Sequence, residues 1–276
     1  MNDKLTDRVA LVTGATDGIG KLTAKWLAAR GAAVLVHGRN PDKVDRVVEE
    51  IRADGADAQG LVADLAAVAQ VRTLARDVIN HGERLDILIN NAGVGDTRGP
   101  RRESDDGLEL HFAVNTLAPV LLTRLLADRL AETAEVHGEA RVVMVASVAQ
   151  RAIDFDDPQL TRGYDGMRAY AQSKLGLIMA TMELAAELGP RGVSVNALHP
   201  GTLLDTKMVR QGFGRAQGPA EDGAEAEVHL ATAPELASVT GAYFDRLKRA
   251  EPAAQAKDPE ARRRLMALID ELSAEG

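Results

Sequence analysis

The segment YDGMRAYAQSKLG, residues 164–176, carries two tyrosines, each followed four residues later by a base: Tyr164 by Arg168, and Tyr170 by Lys174. Positions four apart share one face of a helix, so either pair brings a phenol and a cation together. A free phenol titrates near pH 10, and acid–base work near neutrality requires favouring the phenolate by about 4 kcal/mol. A lysine one turn away supplies such a field. Two more residues are candidates for the same centre. Ser147 closes the apolar run ARVVMVAS, and Asn115 lies in HFAVNTLAPVLLT. Each also has a purely structural use, since serine caps helices and asparagine satisfies backbone at bends.

A second kind of chemistry is written near the amino terminus. TGATDGIG, residues 13–20, falls between an apolar run and a stretch of helical period, the context that a phosphate-binding turn requires. Gly14 permits a tight turn, Gly18 lets backbone approach a pyrophosphate, and Gly20 lets the helix pack close to the strand. The spacing is G-x-x-x-G-x-G, and taken alone it also fits an ordinary strand-to-helix turn. The next apolar run ends in HGRN, residues 37–40. Folds that prefer NAD place an acid there to hold the ribose 2′-hydroxyl, whereas this chain offers Gly38 and Arg39. A guanidinium suits a 2′-phosphate, or it is a solvated charge at a strand end.

These residues need a scaffold, and the chain supplies one. Short runs that are apolar on both faces recur at 9–13, 33–37, 58–63, 85–90, 140–147 and 193–199. Stretches of helical period lie between them, such as KLTAKWLAARG and DKVDRVVEEIRADG. Strands alternating with helices predict an α/β fold, a Rossmann-type doubly wound parallel sheet with helices on both faces. At 276 residues and 45% hydrophobic content, one dinucleotide-binding domain spanning 1–276 is expected. Three long polar segments, about 94–106, 150–168 and 201–227, follow predicted strands and so emerge where open α/β sheets bind ligands. Residues 258–274 predict a docked helix, with Asp258 as cap, Pro259 at its first position and Leu265, Leu268, Ile269 and Leu272 along one stripe.

Composition narrows the partners. A formal net charge of −8 argues against nucleic acid or an anionic membrane surface, which select basic faces. The absence of cysteine excludes disulfides and thiol nucleophiles. The first residues, MNDKLTDRVALVTGATDG, show no basic region leading into a long apolar run, and no segment reaches the roughly 18 apolar residues of a membrane span. A cytoplasmic protein without a membrane partner is expected.

Taken together, the motifs resemble the short-chain dehydrogenase/reductase family over nearly the whole chain. They are TGATDGIG, Asp64-Leu65, NNAG at 90–93, Asn115, Ser147, YAQSK at 170–174 and NALHPG at 196–201. The 23-residue gap from Ser147 to Tyr170, the GIGK turn, the GRN strand end and TGAYF at 240–244 look most like its retinol dehydrogenase and WW-domain oxidoreductase branch. The resemblance selects Tyr170 over Tyr164. It implies that Tyr170 exchanges a proton with the substrate oxygen and that Ser147 orients that oxygen. Lys174 would lower the tyrosine pKa and bind the nicotinamide ribose, and Asn115 would hold a water that relays the proton. The cofactor would lie against Gly14, Thr16, Asp17, Gly18, Ile19, Gly20, Arg39, Asp64, Leu65, Asn91, Ala92, Gly93, Pro200 and Gly201 as well as Tyr170 and Lys174. No metal is implied, because hydride chemistry belongs to the nicotinamide.

NADP(H) is favoured through Arg39 and NAD(H) stays open, since Asp17 stands where some NADP-preferring members carry a basic residue. The expected activity is hydride transfer between NADPH and a soluble, small or medium carbonyl compound or secondary alcohol. Its apolar part would enter a pocket of Val94, Phe155, Leu203, Leu204 and Met208. A homodimer or homotetramer is expected. Two other readings use parts of the same pattern: a nucleotide-binding sensor without turnover needs only the cofactor half. A sugar-nucleotide epimerase or dehydratase shares Y-x-x-x-K, but with a G-x-x-G-x-x-G turn and a substantial substrate domain.

Overall fold

Strands that are apolar on both faces must be covered on both, and the sheet shows how. The computed structural model describes residues 5–274. Its strands are β1 Val9–Val12, β2 Ala33–Gly38, β3 Ala58–Val62, β4 Ile87–Asn90, β5 Ala140–Val145, β6 Val193–His199, β7 Tyr243–Asp245 and β8 Lys248–Ala250. They lie in the order β3-β2-β1-β4-β5-β6-β7-β8. All pairs are parallel except β7 with β8. Alternate residues face opposite layers. Leu11, Leu35, Leu88, Val142 and Val195 enter one core, and Val12, Val34, Ile89, Val143 and Leu198 enter the other.

The helices are α1 Gly18–Ala29, α2 Pro41–Ala53, α3 Val68–His81, α4 Leu110–Phe112, α5 Ala118–Leu125, α6 Ala127–His137, α7 Gly166–Leu188, α8 Lys207–Gly212, α9 Ala220–Thr232 and α10 Pro259–Ser273. Apolar residues of α1, α2 and α9 fill the second core, while those of α3, α5, α6, α7 and α10 fill the first. The result is a single-domain α/β fold with helices on both faces of the sheet. β1 sits between β2 and β4, so the strand order reverses there and opens a crevice at the carboxyl ends.

Three differences from the sequence expectation have physical causes. β7 and β8 are three residues each, too short for an alternating pattern to register. The third polar segment is not loop throughout 201–227. It contains α8, and α9 already starts at Ala220, with Gly223 packed where a Cβ would come within 2.7 Å of Leu204 and 2.8 Å of Ile19. Tyr164 lies outside α7, whose cap is Asp165, accepting from the amide of Arg168 at 2.6 Å. The α10 expectation matches closely: Asp258 accepts from the amide of Glu260, and Leu265 and Ile269 are buried.

One buried side chain fastens the crevice. His37, in β2 and 1% exposed, receives the amide of Gly14 on Nδ1 at 3.3 Å and reaches the carbonyl of Ala63 with Nε2 at 3.1 Å. The ring thus ties the glycine turn to the end of β3 and must be neutral to do so, with its proton on Nε2. Burial lowers its pKa to about 4, against the opposing pull of the Ala63 carbonyl and Asp64. The unfolded chain takes up this proton from about pH 6.5 downward, so stability is present above that pH and is lost as pH falls toward 4. The loss amounts to about 3 kcal/mol. Urea unfolding of wild type and His37→Asn at each pH from 7 to 4.5 is expected to show a stability gap that narrows by about 2 kcal/mol or more over that range. A gap independent of pH contradicts a neutral bridge.

Candidate active site

The carboxyl ends of the strands border a cleft of about 1200 Å³. At its nucleotide end, Gly14 and Gly18 adopt positive φ, +66° and +51°, conformations that side chains disfavour. A Cβ on Gly20 would lie 2.2 Å from the amide nitrogen of Asn91, so glycine there lets α1 approach the sheet. Asn91 uses that nitrogen to donate to the carbonyl of Thr13 at 2.7 Å and of Gly14 at 3.2 Å. It therefore fixes the turn as well as lining the groove.

The end of β2 shows why the acid is absent. A Cβ on Gly38 would meet Thr16 at 2.4 Å and Val44 at 3.0 Å, leaving no room for a carboxylate on that residue. Arg39 stands beside it, exposed, 3.8 Å from Asp64. Lys43, which no motif singles out, also lines the cleft and lies 3.9 Å from Asp17. Asp17 caps α1, accepting from the amide of Gly18 at 2.9 Å. Its charge is thus offset by a cation and directed at backbone.

The other half of the cleft is organised by α7, which places Tyr170 and Lys174 one turn apart and both buried. The alternative pair does not meet. Tyr164 donates to Glu109, and Arg168 bonds Asp154. Lys174 Nζ donates to the carbonyl of Val145 at 2.8 Å and lies 5.9 Å from the centre of the Tyr170 ring. Burial lowers its pKa to about 8, with the carboxyl of Glu227 pulling the other way. Burial also raises Tyr170 above the ordinary phenol range, and a hydrogen bond with Ser147 opposes that shift. The largest influence on the phenol in the protein alone is thus desolvation.

Asn115 lies in a π-helical turn, Ala113–Leu117, between α4 and α5. Such turns re-aim a side chain and recur at functional sites. Its oxygen accepts from the amide of Val94 at 2.8 Å, and its nitrogen donates to Val94 O and Ser173 Oγ, both at 3.0 Å. Both amide protons are occupied, so the side chain clamps the loop after β4 onto α7 and has no proton to offer a relay water. Ser147 follows β5 by two residues, and its hydroxyl accepts from the amide of Ala149 at 3.1 Å.

All the sequence-predicted cofactor and catalytic residues line this cleft except Asn115, which supports it from behind. Val94, Leu203, Leu204 and Met208 also line it. Phe155 does not join them: it packs on the core, with the Arg264 guanidinium 4.5 Å over its ring. Its place is taken by Phe213, edge-on to Tyr170 at 5.5 Å. Residues that the motifs pass over are Lys43, Phe213, Glu109, His111 and the fully buried Glu227. The i, i+2 spacing of Glu109 and His111 just before Asn115 is the one local signal that was available.

The short chain dehydrogenase family pattern matches residues 8–215. Retinol dehydrogenase 13 of Homo sapiens is 39% identical over 285 residues, covering 94% of this chain and 82% of that protein. Polyprenol dehydrogenase of Mus musculus is 42% identical over 279 residues, again covering 94% and 82%. Among solved structures, the Pseudomonas aeruginosa RhlG/NADP active-site complex gives a TM-score of 0.72 at 29% identity, covering 88% of this chain and 96% of that one. These matches run through both halves of the cleft, from the glycine turn to the helix that carries Tyr170 and Lys174. The chain belongs to the short-chain dehydrogenase/reductase family and is an NAD(P)-dependent oxidoreductase acting on CH–OH and C=O groups.

Proposed function

We propose that the protein reduces a water-borne carbonyl compound of small or medium size with NADPH, as a cytoplasmic homodimer or homotetramer without a membrane partner. The observation that carries this reading is the buried Tyr170, in contact with Ser147 and one helical turn from Lys174, at the floor of a cleft that opens on a glycine turn. Bound reduced nicotinamide supplies the hydride to the carbonyl carbon. Tyr170, whose phenol burial keeps protonated, gives its proton to the carbonyl oxygen, and Ser147 orients that oxygen by a hydrogen bond. Lys174, fixed on Val145, keeps N–H groups that would hold the ribose hydroxyls. The glycine turn and the residues from Asn91 to Gly93 and Pro200 to Gly201 form a backbone-lined cradle into which a dinucleotide fits.

The preference for NADPH rests on Arg39 and Lys43 together and on the space missing at Gly38. The soluble substrate is supported by the charged rim of the cleft, with Asp96, Arg102, Glu103, Asp105 and Lys207 among its lining. Charged side chains, including pairs such as Asp96 with Arg102, are costly to bury against an apolar surface. A second reading is favoured by the relatives, whose names, retinol and polyprenol dehydrogenase, denote long isoprenoid alcohols. Among the described residues no single helix is long and apolar enough to cross a membrane.

Three outcomes check this proposal. Tyr170→Phe keeps the ring and removes the proton, so turnover is expected to fall at least about 100-fold, and Tyr164→Phe to cost at least about 10-fold less. Equal losses contradict the assignment. By fluorescence titration, Arg39→Ala is expected to weaken NADPH roughly 10-fold and Arg39→Ala/Lys43→Ala roughly 100-fold, with NADH changed by less than about 3-fold. Tighter binding of NADH by the wild type overturns the preference. Aqueous ketones and aldehydes are expected to be turned over faster than all-trans-retinal in liposomes. Selective turnover of the retinal, with flotation of the protein on the vesicles, establishes the second reading instead.

A further inference from the structure

The substrate end of the cleft holds a buried polar cluster that the proton transfer does not use. Glu109 and His111 are 2% and 3% exposed. His111 Nδ1 lies 2.8 Å from Glu109 Oε1, the Tyr164 hydroxyl donates to the same oxygen at 3.2 Å, and the amide of Phe112 donates to Oε2 at 2.8 Å. Burial alone would push the Glu109 carboxyl up. The hydrogen bond and charge of His111, with the backbone donors, overcome it and hold that carboxyl below the usual range. An ionised carboxylate only accepts, so the proton between it and the imidazole belongs to Nδ1.

Nε2 of the same ring is buried and has no hydrogen-bond partner among the described residues. Buried polar atoms in native proteins almost always have partners, so an orphan in a ligand cleft marks a place for a ligand group. The ring stands edge-on to Tyr170, centroids 6.2 Å apart and planes at 83°. Leu110, Val114, Met208 and Phe213 bring apolar surface to the same cleft.

We propose that His111, held in place by Glu109 and Tyr164, is a specificity-determining residue whose Nε2 hydrogen-bonds a hydroxyl lying within a few bonds of the reacting carbonyl. The proposal deepens, and rests on, the reading of Tyr170 as proton donor to a soluble carbonyl compound. A substrate with a hydroxyl beside its carbonyl satisfies both groups at once: the carbonyl oxygen faces Tyr170 and the O–H faces Nε2. A plain ketone of the same shape, or a hydrocarbon tail, leaves Nε2 desolvated and unpaired.

The test compares 2-hydroxyacetophenone with acetophenone, which differ by that one hydroxyl. With NADPH and wild-type enzyme, kcat/KM is expected to favour the hydroxy ketone on the order of 10- to 100-fold. His111→Leu is expected to bring the ratio to within about 3-fold of one, chiefly through a raised KM for the hydroxy ketone. His111→Gln keeps polarity and similar volume, so it folds where leucine perturbs, and is expected to lower the ratio at least about 3-fold. A residue that merely supports the fold lowers both ketones alike and leaves the ratio intact, which overturns the proposal.

Calorimetric binding of both ketones to the NADP-loaded enzyme separates this failure from that of the underlying reading. If neither ketone is reduced, yet the hydroxy ketone binds at least about 10-fold tighter and His111→Leu removes that difference, the recognition site stands and soluble carbonyl reduction falls. Equal or undetectable binding of the two overturns the recognition site.

Discussion

A lysine ammonium taken out of water is the constraint around which the cleft is arranged. Lys174 is 4% exposed, and a buried cation persists only when its donors find acceptors. The carbonyl of Val145, last residue of β5, accepts one of them. That bond fixes α7 against the sheet and with it Tyr170, one turn earlier. Gly93 is part of the same solution, because its absent Cβ would sit 3.5 Å from Nζ and 3.1 Å from the Asn115 oxygen. On the far side, Glu227 is wholly buried, with Thr23 donating to one oxygen at 2.7 Å. Burial pushes Lys174 down and Glu227 up, and the charge of each draws the other back toward ionisation. The nucleotide helix α1, which carries Thr23, is thereby coupled electrostatically to the catalytic helix.

The substrate walls follow a different logic. Their sequence is polar, but much of that polarity holds loop backbone in place. Gln150 bonds the carbonyl of Ser147 and the amide of Ala253; Gln255 makes a two-way bond with Ile153. Asp157 accepts from the amides of Thr161 and Arg162. The carbonyl of Ser147 also receives the Tyr243 hydroxyl from β7. A short strand one in from the sheet edge thus helps hold the backbone at Ser147, which gives β7 a role beyond extending the sheet.

What was legible in the sequence divides along the same line. Strands apolar on both faces announce a sheet covered on both sides, and glycines forced by close approach, such as Gly14 and Gly20, announce the nucleotide turn. Tyr170 and Lys174 are legible because a helix converts their spacing into proximity. Phe155 was misplaced because an aromatic residue in a polar loop has two apolar destinations, the cleft and the core. The cation over its ring, Arg264 of α10, comes from a distant part of the chain. Lys43 and His111 stayed hidden for a related reason: each matters through a partner brought by another element, Asp17 for one and Tyr164 for the other. The π-helical turn at Asn115 has no pattern of its own, since one extra residue in a helical turn leaves the apolar periodicity on either side intact.

Burial and a hydrogen bond act on the Tyr170 phenol in opposite senses. Lys174 Nζ engages Val145 and lies 5.9 Å from the centre of the Tyr170 ring, while burial opposes a phenolate. A neutral phenol with Ser147 beside it is ready to donate to a carbonyl oxygen, whereas removing a proton from an alcohol requires the phenolate that this environment disfavours. Ser147 narrows the difference, since its hydrogen bond pulls the tyrosine pKa down. The surroundings of Tyr170 therefore favour the neutral phenol, the form that has a proton to give.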